Sequence, residues 1–218
     1  MALIRSVFQE ELDGVSQSLV DLATMVTESM QKATSALLNA ELSIAEEVIS
    51  ADEKIDTYQH ELDSRIIDII ARQQPVASDL RALITALRMS ADLERMGDLS
   101  HHIAKVARLR HPESAVPQEL QSTIRTMGEV ASKISEKVGT VIETRNTLMA
   151  LELEKDDDEM DSLHRSLITV LTSGSWDKGV PSAIDITLLG RYYERFADHA
   201  VSVSRRVYFL VTGEFAPA

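Results

Sequence analysis

The sequence predicts an all-α protein built as two tandem, pseudo-symmetric three-helix bundles. Three observations carry that expectation. Aromatic residues make up only 4% of the chain, and its 218 residues hold 8 glycines and 5 prolines. That composition suits long helices packed on aliphatic side chains and suits sandwiches of short strands poorly. Between the sparse breaks, apolar residues recur at intervals of three and four, the period of a helix face. Paired acids then recur in the same register in both halves.

The first helix is expected over residues 3–39, where Leu12, Leu19, Leu22, Val26, Ala33 and Leu37 share a stripe that tolerates Gly14. The second, 43–73, carries Ile44, Val48, Ala51, Ile55, Tyr58, Leu62, Ile66 and Ile69, and Ser43-Ile44-Ala45-Glu46 reads as a capping box at its start. Pro75 interrupts the pattern, and Ser78 is placed to cap a third helix over 79–110. The segment HPESAVP, with Pro112 and Pro117, is the natural junction. Beyond it, helices are expected over 118–146, 149–173 and 182–211, the last two separated by Gly174, Gly179 and Pro181. Short connections between successive helices make up-down-up bundles, so the units are 1–111 and 117–218.

Asp52/Asp56, Glu94/Asp98, Asp157/Asp161 and Glu194/Asp198 each have the form acid-x-x-x-acid, which puts two carboxylates on one helix face. Asp52 and Asp56 precede Asp157 and Asp161 by one common interval; Glu94 and Asp98 precede Glu194 and Asp198 by another. The small difference falls in the loop between second and third helices, where a length change does least harm. LERMGDLSHHIAKVAR and YERFADHAVSVSRRVY repeat the third-helix pattern, with Gly97 and Ala197 as small residues suited to close helix approach.

Like charges one turn apart weaken a bare helix. Where second and third helices run side by side, four carboxylates can converge, and such a cluster either raises its own pKa values or captures a cation. Oxygen-rich sites take Mg²⁺, Mn²⁺, Ca²⁺ or iron. His60 and His102, each one turn beyond a motif Asp, are candidate additional ligands that tilt the choice towards iron, manganese, zinc or nickel. His164 and His199 lie near the second set. A competing reading stays open: solvated acids, with Arg95 and Arg195 as their partners and the histidines as exposed polar residues.

The remaining chemistry is bounded by what the chain lacks. A net charge of −13 disfavours direct nucleic-acid binding and repels anionic lipid. The absence of cysteine removes disulfides and thiolate metal sites. MALIRSVFQEEL turns acidic too early for a secretory signal, and no apolar stretch approaches a bilayer span, so a cytoplasmic protein is expected. Walker, GxSxG and Rossmann motifs are missing. Met89, Met96, Met127 and Met160 read as core, and Trp176 as a loop anchor. Lys105, Arg108, Arg110, Arg205 and Arg206 read as complements to helix C-termini. An alternative class is a di-metal carboxylate oxidase or metal-storage bundle, because Asp98-x-x-His101 and Asp161-x-x-His164 approximate the Glu-x-x-His element of ferritin-like proteins.

LERMGDLSHHIAKVAR, YERFADHAVSVSRRVYFLVTGE and QPVASDLR resemble the signature stretches of the PhoU family, and the resemblance runs along essentially the whole chain. It implies two pseudo-symmetric helical bundles, homodimerisation, and negative regulation of phosphate uptake and phosphate-starvation signalling without catalysis. The implied partners are the ATPase subunit of the Pst phosphate transporter and a sensor histidine kinase. The implied cofactors are multinuclear metal clusters, iron first and zinc, manganese or nickel as alternatives. Their ligands would be Asp52, Asp56, Glu94, Asp98, Asp157, Asp161, Glu194 and Asp198. The family's third helices usually carry Asn one turn after the motif Asp; His102 and Ser202 stand there in this chain, and Ala197 replaces Gly. Those departures bear on which metal is held, not on the fold.

Overall fold

The computed structural model describes residues 2–217, so the outermost positions of the two expected units, 1 and 218, lie outside the described residues. Six long helices follow in order: α1 (Ala2–Asn39), α2 (Leu42–Gln73), α3 (Ala77–Arg110), α4 (Gln121–Thr144), α5 (Thr147–Thr172) and α6 (Gly179–Thr212). There is no strand among the described residues. A short 3₁₀ turn, Gln118–Leu120, leads into α4 and takes the place of the first helical turn expected there.

Helix bodies match the apolar stripes, but the ends follow other chemistry. No side chain caps α2: its N-cap is Glu41, in extended conformation, and Ser43 already lies inside the helix. The connection is only Ala40 and Glu41, with Ala40 left-handed, and Glu41 N donates back to Ala36 O at 3.1 Å. So tight a reversal starts the helix at Leu42, and Ser43, already helical, does not take the extended N-cap position. Val76 is likewise the N-cap of α3, and Ser78 Oγ lies 3.4 Å from Asp79 Oδ1. The one side-chain cap among the described residues is Asn146, whose Oδ1 accepts from Leu148 N and Met149 N, starting α5 two residues earlier than expected.

α1, α3, α4 and α6 form the interior: α1 packs on α3 and α4, and α3 packs on α6. α2 covers α1 and α3; α5 covers α4 and α6. One continuous apolar core, from Val15 through Leu93 and Ile134 to Val207, runs through both units. Met89, Met96, Met127 and Met160 all belong to it. Trp176 packs against it and donates Nε1–H to Gly179 O at 2.9 Å, which pins the α5–α6 loop.

Polar contacts also cross between the units. The Tyr193 hydroxyl, fully buried, lies 2.8 Å from Thr34 Oγ1, joining α6 to α1. Burial pushes its phenol pKa up strongly. Thr27 Oγ1 meets Ser135 Oγ at 2.6 Å between α1 and α4. Asp92 accepts from His199 Nδ1 at 3.1 Å and Arg206 Nε at 2.7 Å, joining α3 to α6. Arg110 Nε donates to Asp185 Oδ2 at 2.6 Å, also from α3 to α6, while within the second unit Arg205 Nε donates to Glu154 Oε1 at 2.6 Å. Three arginines read from sequence as helix-end complements therefore serve as inter-helix ion-pair donors. His199 is engaged by Asp92, away from the second acidic set.

Candidate metal centre

The two outer seams, α2 with α3 and α5 with α6, hold the acidic motifs. In the first seam Gly97 stands between Glu94 and Asp98, and Ile55 stands between Asp52 and Asp56. A Cβ at Gly97 would lie 3.1 Å from Ile55 Cγ2, so glycine lets the backbones approach where the acids must meet. In the second seam Gly190 plays that part: a Cβ there would lie 3.1 Å from Leu167 Cδ1 and 3.2 Å from His164 Cδ2. The fully buried Ala197 occupies the place equivalent to Gly97.

In the first cluster, ligand atoms of Asp52, Asp98 and His101 all lie within 4.8 Å of one another. His101 Nδ1 touches Asp52 Oδ2, but the contact lacks hydrogen-bond alignment, and both ring nitrogens are buried without a hydrogen-bond partner. Burial is the main force raising the Asp52 pKa; His101 opposes it, and Asp56 and Asp98 add to it. Burial also raises Glu94, against Arg95 and with help from Asp98, Asp56 and Asp52. The four motif acids thus feel one another's charge along the seam, but only Asp52 and Asp98 bring ligand atoms together with His101; Asp56 and Glu94 stand outside that group. Arg95 supplies part of the neutralisation, with Nη1 2.6 Å from Asp98 Oδ2 and Nε 3.6 Å from Glu94 Oε2. That side chain is 61% exposed, so the pairs are weak and a cation can displace them.

The second cluster is more purely anionic and more open: among the described residues Asp157, Asp161, Glu194 and Asp198 do not bring three ligand atoms within 4.8 Å of one another. Asp157 is pushed up to about 7 by burial, then by Asp198, Asp161, Glu194 and Asp158. Its Oδ1 is buried without a hydrogen-bond partner. Glu194 is also raised, first by burial and then by Asp198, while Arg191 and His164 oppose. Arg191 bonds Glu194, and Arg165 Nη1 lies 3.8 Å from Asp161 Oδ2. Arg195 makes no ion pair among the described residues, contrary to the role open to it from sequence.

The two histidines expected to extend the first cluster are turned towards the backbone. His60 is exposed, with Nδ1 2.7 Å from Asp56 O. His102 Nδ1 lies 2.6 Å from Asp98 O, and its ring packs against Tyr192 at 5.2 Å. Neither joins the ligand atoms gathered by Asp52, Asp98 and His101. The histidine that does is His101, which the sequence offered only through Asp98-x-x-His101. His101 and His102 are adjacent, so their side chains leave α3 about 100° apart, and spacing from Asp98 alone does not decide between them.

The donor set fits a hard or borderline cation. Carboxylate oxygens with one imidazole suit iron, manganese, zinc or nickel in the first cluster; oxygens dominate the second. The orphaned nitrogens of His101 and Oδ1 of Asp157 are the polar atoms a metal would satisfy.

A family model described as the PhoU domain matches the chain twice, over residues 19–107 and 124–207. The chain belongs to the PhoU family. The phosphate-specific transport system accessory protein PhoU homolog 2 of Mycobacterium tuberculosis (strain H37Rv) is 44% identical over 212 residues, covering 97% of this chain and 100% of that protein. PhoU homolog 1 of Mycobacterium leprae is 42% identical over 212 residues, covering 97% and 96%. The crystal structure of the regulatory protein PhoU from Streptococcus pneumoniae superposes with a TM-score of 0.87 at 26% identity, over 97% of this chain and 100% of that one. PhoU from Pseudomonas aeruginosa gives 0.86 at 27% identity, over 95% and 100%. Each PhoU domain match covers three helices and contains one acidic seam, so each repeat carries its own seam.

Proposed function

We propose that this chain is an accessory regulator of the phosphate-specific transport system, which damps phosphate import and starvation signalling when phosphate is plentiful. The observation that carries this reading is near-complete alignment, at 44% identity, with a relative named for that transport system. It acts by docking, with no catalytic step of its own. Its partners are the transporter's ATPase subunit and a sensor histidine kinase, and it works as a homodimer in the cytoplasm, reaching the membrane only through those partners. No helix among the described residues is long and apolar enough to cross a membrane, which agrees with a peripheral role.

In this reading the two acidic clusters hold polyvalent cations, iron first and zinc, manganese or nickel as alternatives, and the cations neutralise surfaces that would otherwise repel an anionic partner. Deleting the gene and measuring alkaline phosphatase in high phosphate tests the regulatory role: derepression is expected, and full repression contradicts it. Capture of the ATPase subunit and the kinase by purified protein tests the adaptor role. The assembly of His101 with Asp98 and Asp52 favours one further reading, a di-metal oxidase, which oxygen-dependent turnover by the metal-loaded protein would support.

A further inference from the structure

In a chain of net charge −13, four arginines gather at one cleft whose lining includes none of the motif acids. Arg81 and Arg88 on α3, with Arg205 and Arg206 on α6, line a cleft of about 410 Å³ together with Ile84, Phe209 and Phe215. Arg205 and Arg206 are each held through Nε, by Glu154 and Asp92, and their terminal nitrogens make no hydrogen bond among the described residues. Arg81 and Arg88 have no carboxylate partner among the described residues. The Arg81 guanidinium lies over the Phe209 ring, 5.5 Å from Cζ to centroid. A Cβ at residue 213 would come within 2.7 Å of Arg81 Nη1, so Gly213 makes room for it. Gly213 also ends α6 in the left-handed region, at φ 78°. Beyond that turn, Phe215 stacks on Phe209, centroids 5.1 Å apart and planes 18° from parallel, while 85% exposed.

The duplication does not account for this cluster. In the register that aligns Glu94 with Glu194, Arg81 and Arg88 correspond to Pro181 and Leu188, and Arg205, Arg206 and Phe209 to Lys105, Val106 and Leu109. One cleft of the pair has four guanidiniums and aromatic faces; its counterpart positions offer a single lysine.

We propose that this cleft binds a nucleotide carrying at least two phosphates. Guanidinium forks match phosphate oxygens bidentately, and two unpaired forks call for more than one negative charge. Phe215 shows that a flat ring stacks on Phe209 here. Being so exposed, it loses little when a base takes its face, and base–aromatic stacking needs no particular base. The volume lies within the range of small-ligand sites.

Titration calorimetry of the full chain with ATP tests this, in EDTA so that no metal held by the acidic seams recruits the phosphates. One ATP per chain is expected, with pyrophosphate bound at least about tenfold more weakly for want of a base to stack. R81A/R88A is expected to weaken ATP about tenfold or more by removing both free forks; the exposed Arg88→Gln alone gives a smaller loss in the same direction. Phe209→Leu also weakens binding, and Phe215→Ala does not, because it removes only the ring that the base displaces. No ATP binding at millimolar concentration overturns the proposal. So does ATP affinity unchanged in both arginine variants, or pyrophosphate bound as tightly as ATP.

Discussion

His101 of α3 meets Asp52 of α2 across the first seam, nitrogen against carboxylate oxygen, without the alignment of a hydrogen bond. A structural His–Asp pair would be expected to align and so satisfy both groups. Two donors brought into contact, with Asp98 beside them and both ring nitrogens otherwise unsatisfied, are the arrangement a shared cation would complete. His101→Ala should therefore lower metal affinity of the first cluster by at least about tenfold, the loss that follows removal of even an outer-shell partner. Metal content of the variant, measured cluster by cluster, checks this; an equal loss in the second cluster would speak against a local role.

The second cluster makes a pH prediction. Asp157 is held at about 7 in the folded chain, against an ordinary value of 3.8. Between those values the folded state binds more protons than the unfolded one, so stability falls as pH rises through the window. In metal-free protein the Tm should fall from pH 5 to pH 8, and Asp157→Asn should flatten that slope. Added divalent metal should reverse it, releasing protons as it binds. A slope identical in wild type and variant would contradict the assignment.

The close approach at Gly97 has a price that can be measured. With Ile55 Cγ2 already 3.1 Å from the place of a Cβ, Gly97→Val overpacks the seam and should cost about 1–3 kcal/mol. Metal affinity should fall with it, because the valine moves α2 away from α3. Ile55→Ala in the same chain should recover part of the affinity. Denaturant unfolding and metal titration on the single and double variants read both effects.

Asp92 ties the two units together through His199 and Arg206. Burial raises its pKa, but the His199 and Arg206 bonds outweigh that and hold the carboxyl below its ordinary value. Its contribution is present above pH 3.8 and is lost as pH falls below it. Asp92→Ala should cost about 1.5–3 kcal/mol at neutral pH, as for a hydrogen bond to a charged group, and leave metal binding in both seams intact.

The helix bodies and the placing of the acids along the two outer seams were legible in the sequence because both rest on period and register. Ile55 lies between Asp52 and Asp56 on the apolar stripe, so once α2 packs on α3 its flanking acids must face the seam. The helix starts were not legible. Ser43 and Ser78 have capping chemistry, yet left-handed residues at Ala40 and Gln74 reverse the chain before either serine can act. The choice of histidine was hidden too. His101 and His102 are adjacent, and the preference of His102 for the Asp98 carbonyl and Tyr192 depends on α6, which no local pattern contains. Arg110 does lie in the last turn of α3, whereas Arg205 and Arg206 stand before the last turn of α6, and the ion pairs of all three were hidden because their partners lie on other helices. Asp185, Glu154 and Asp92 become neighbours only through the packing of α3 on α6 and of α5 on α6.

The most direct measurement is an anomalous-scattering map from crystals grown without chelator or added metal. The predicted result is a peak shared by Asp52, Asp98 and His101, and a second beside Asp157 among Asp161, Glu194 and Asp198. The contradicting result is a map without peaks at either seam, with Arg95 still bridging Glu94 and Asp98 and with Asp157 protonated in their absence.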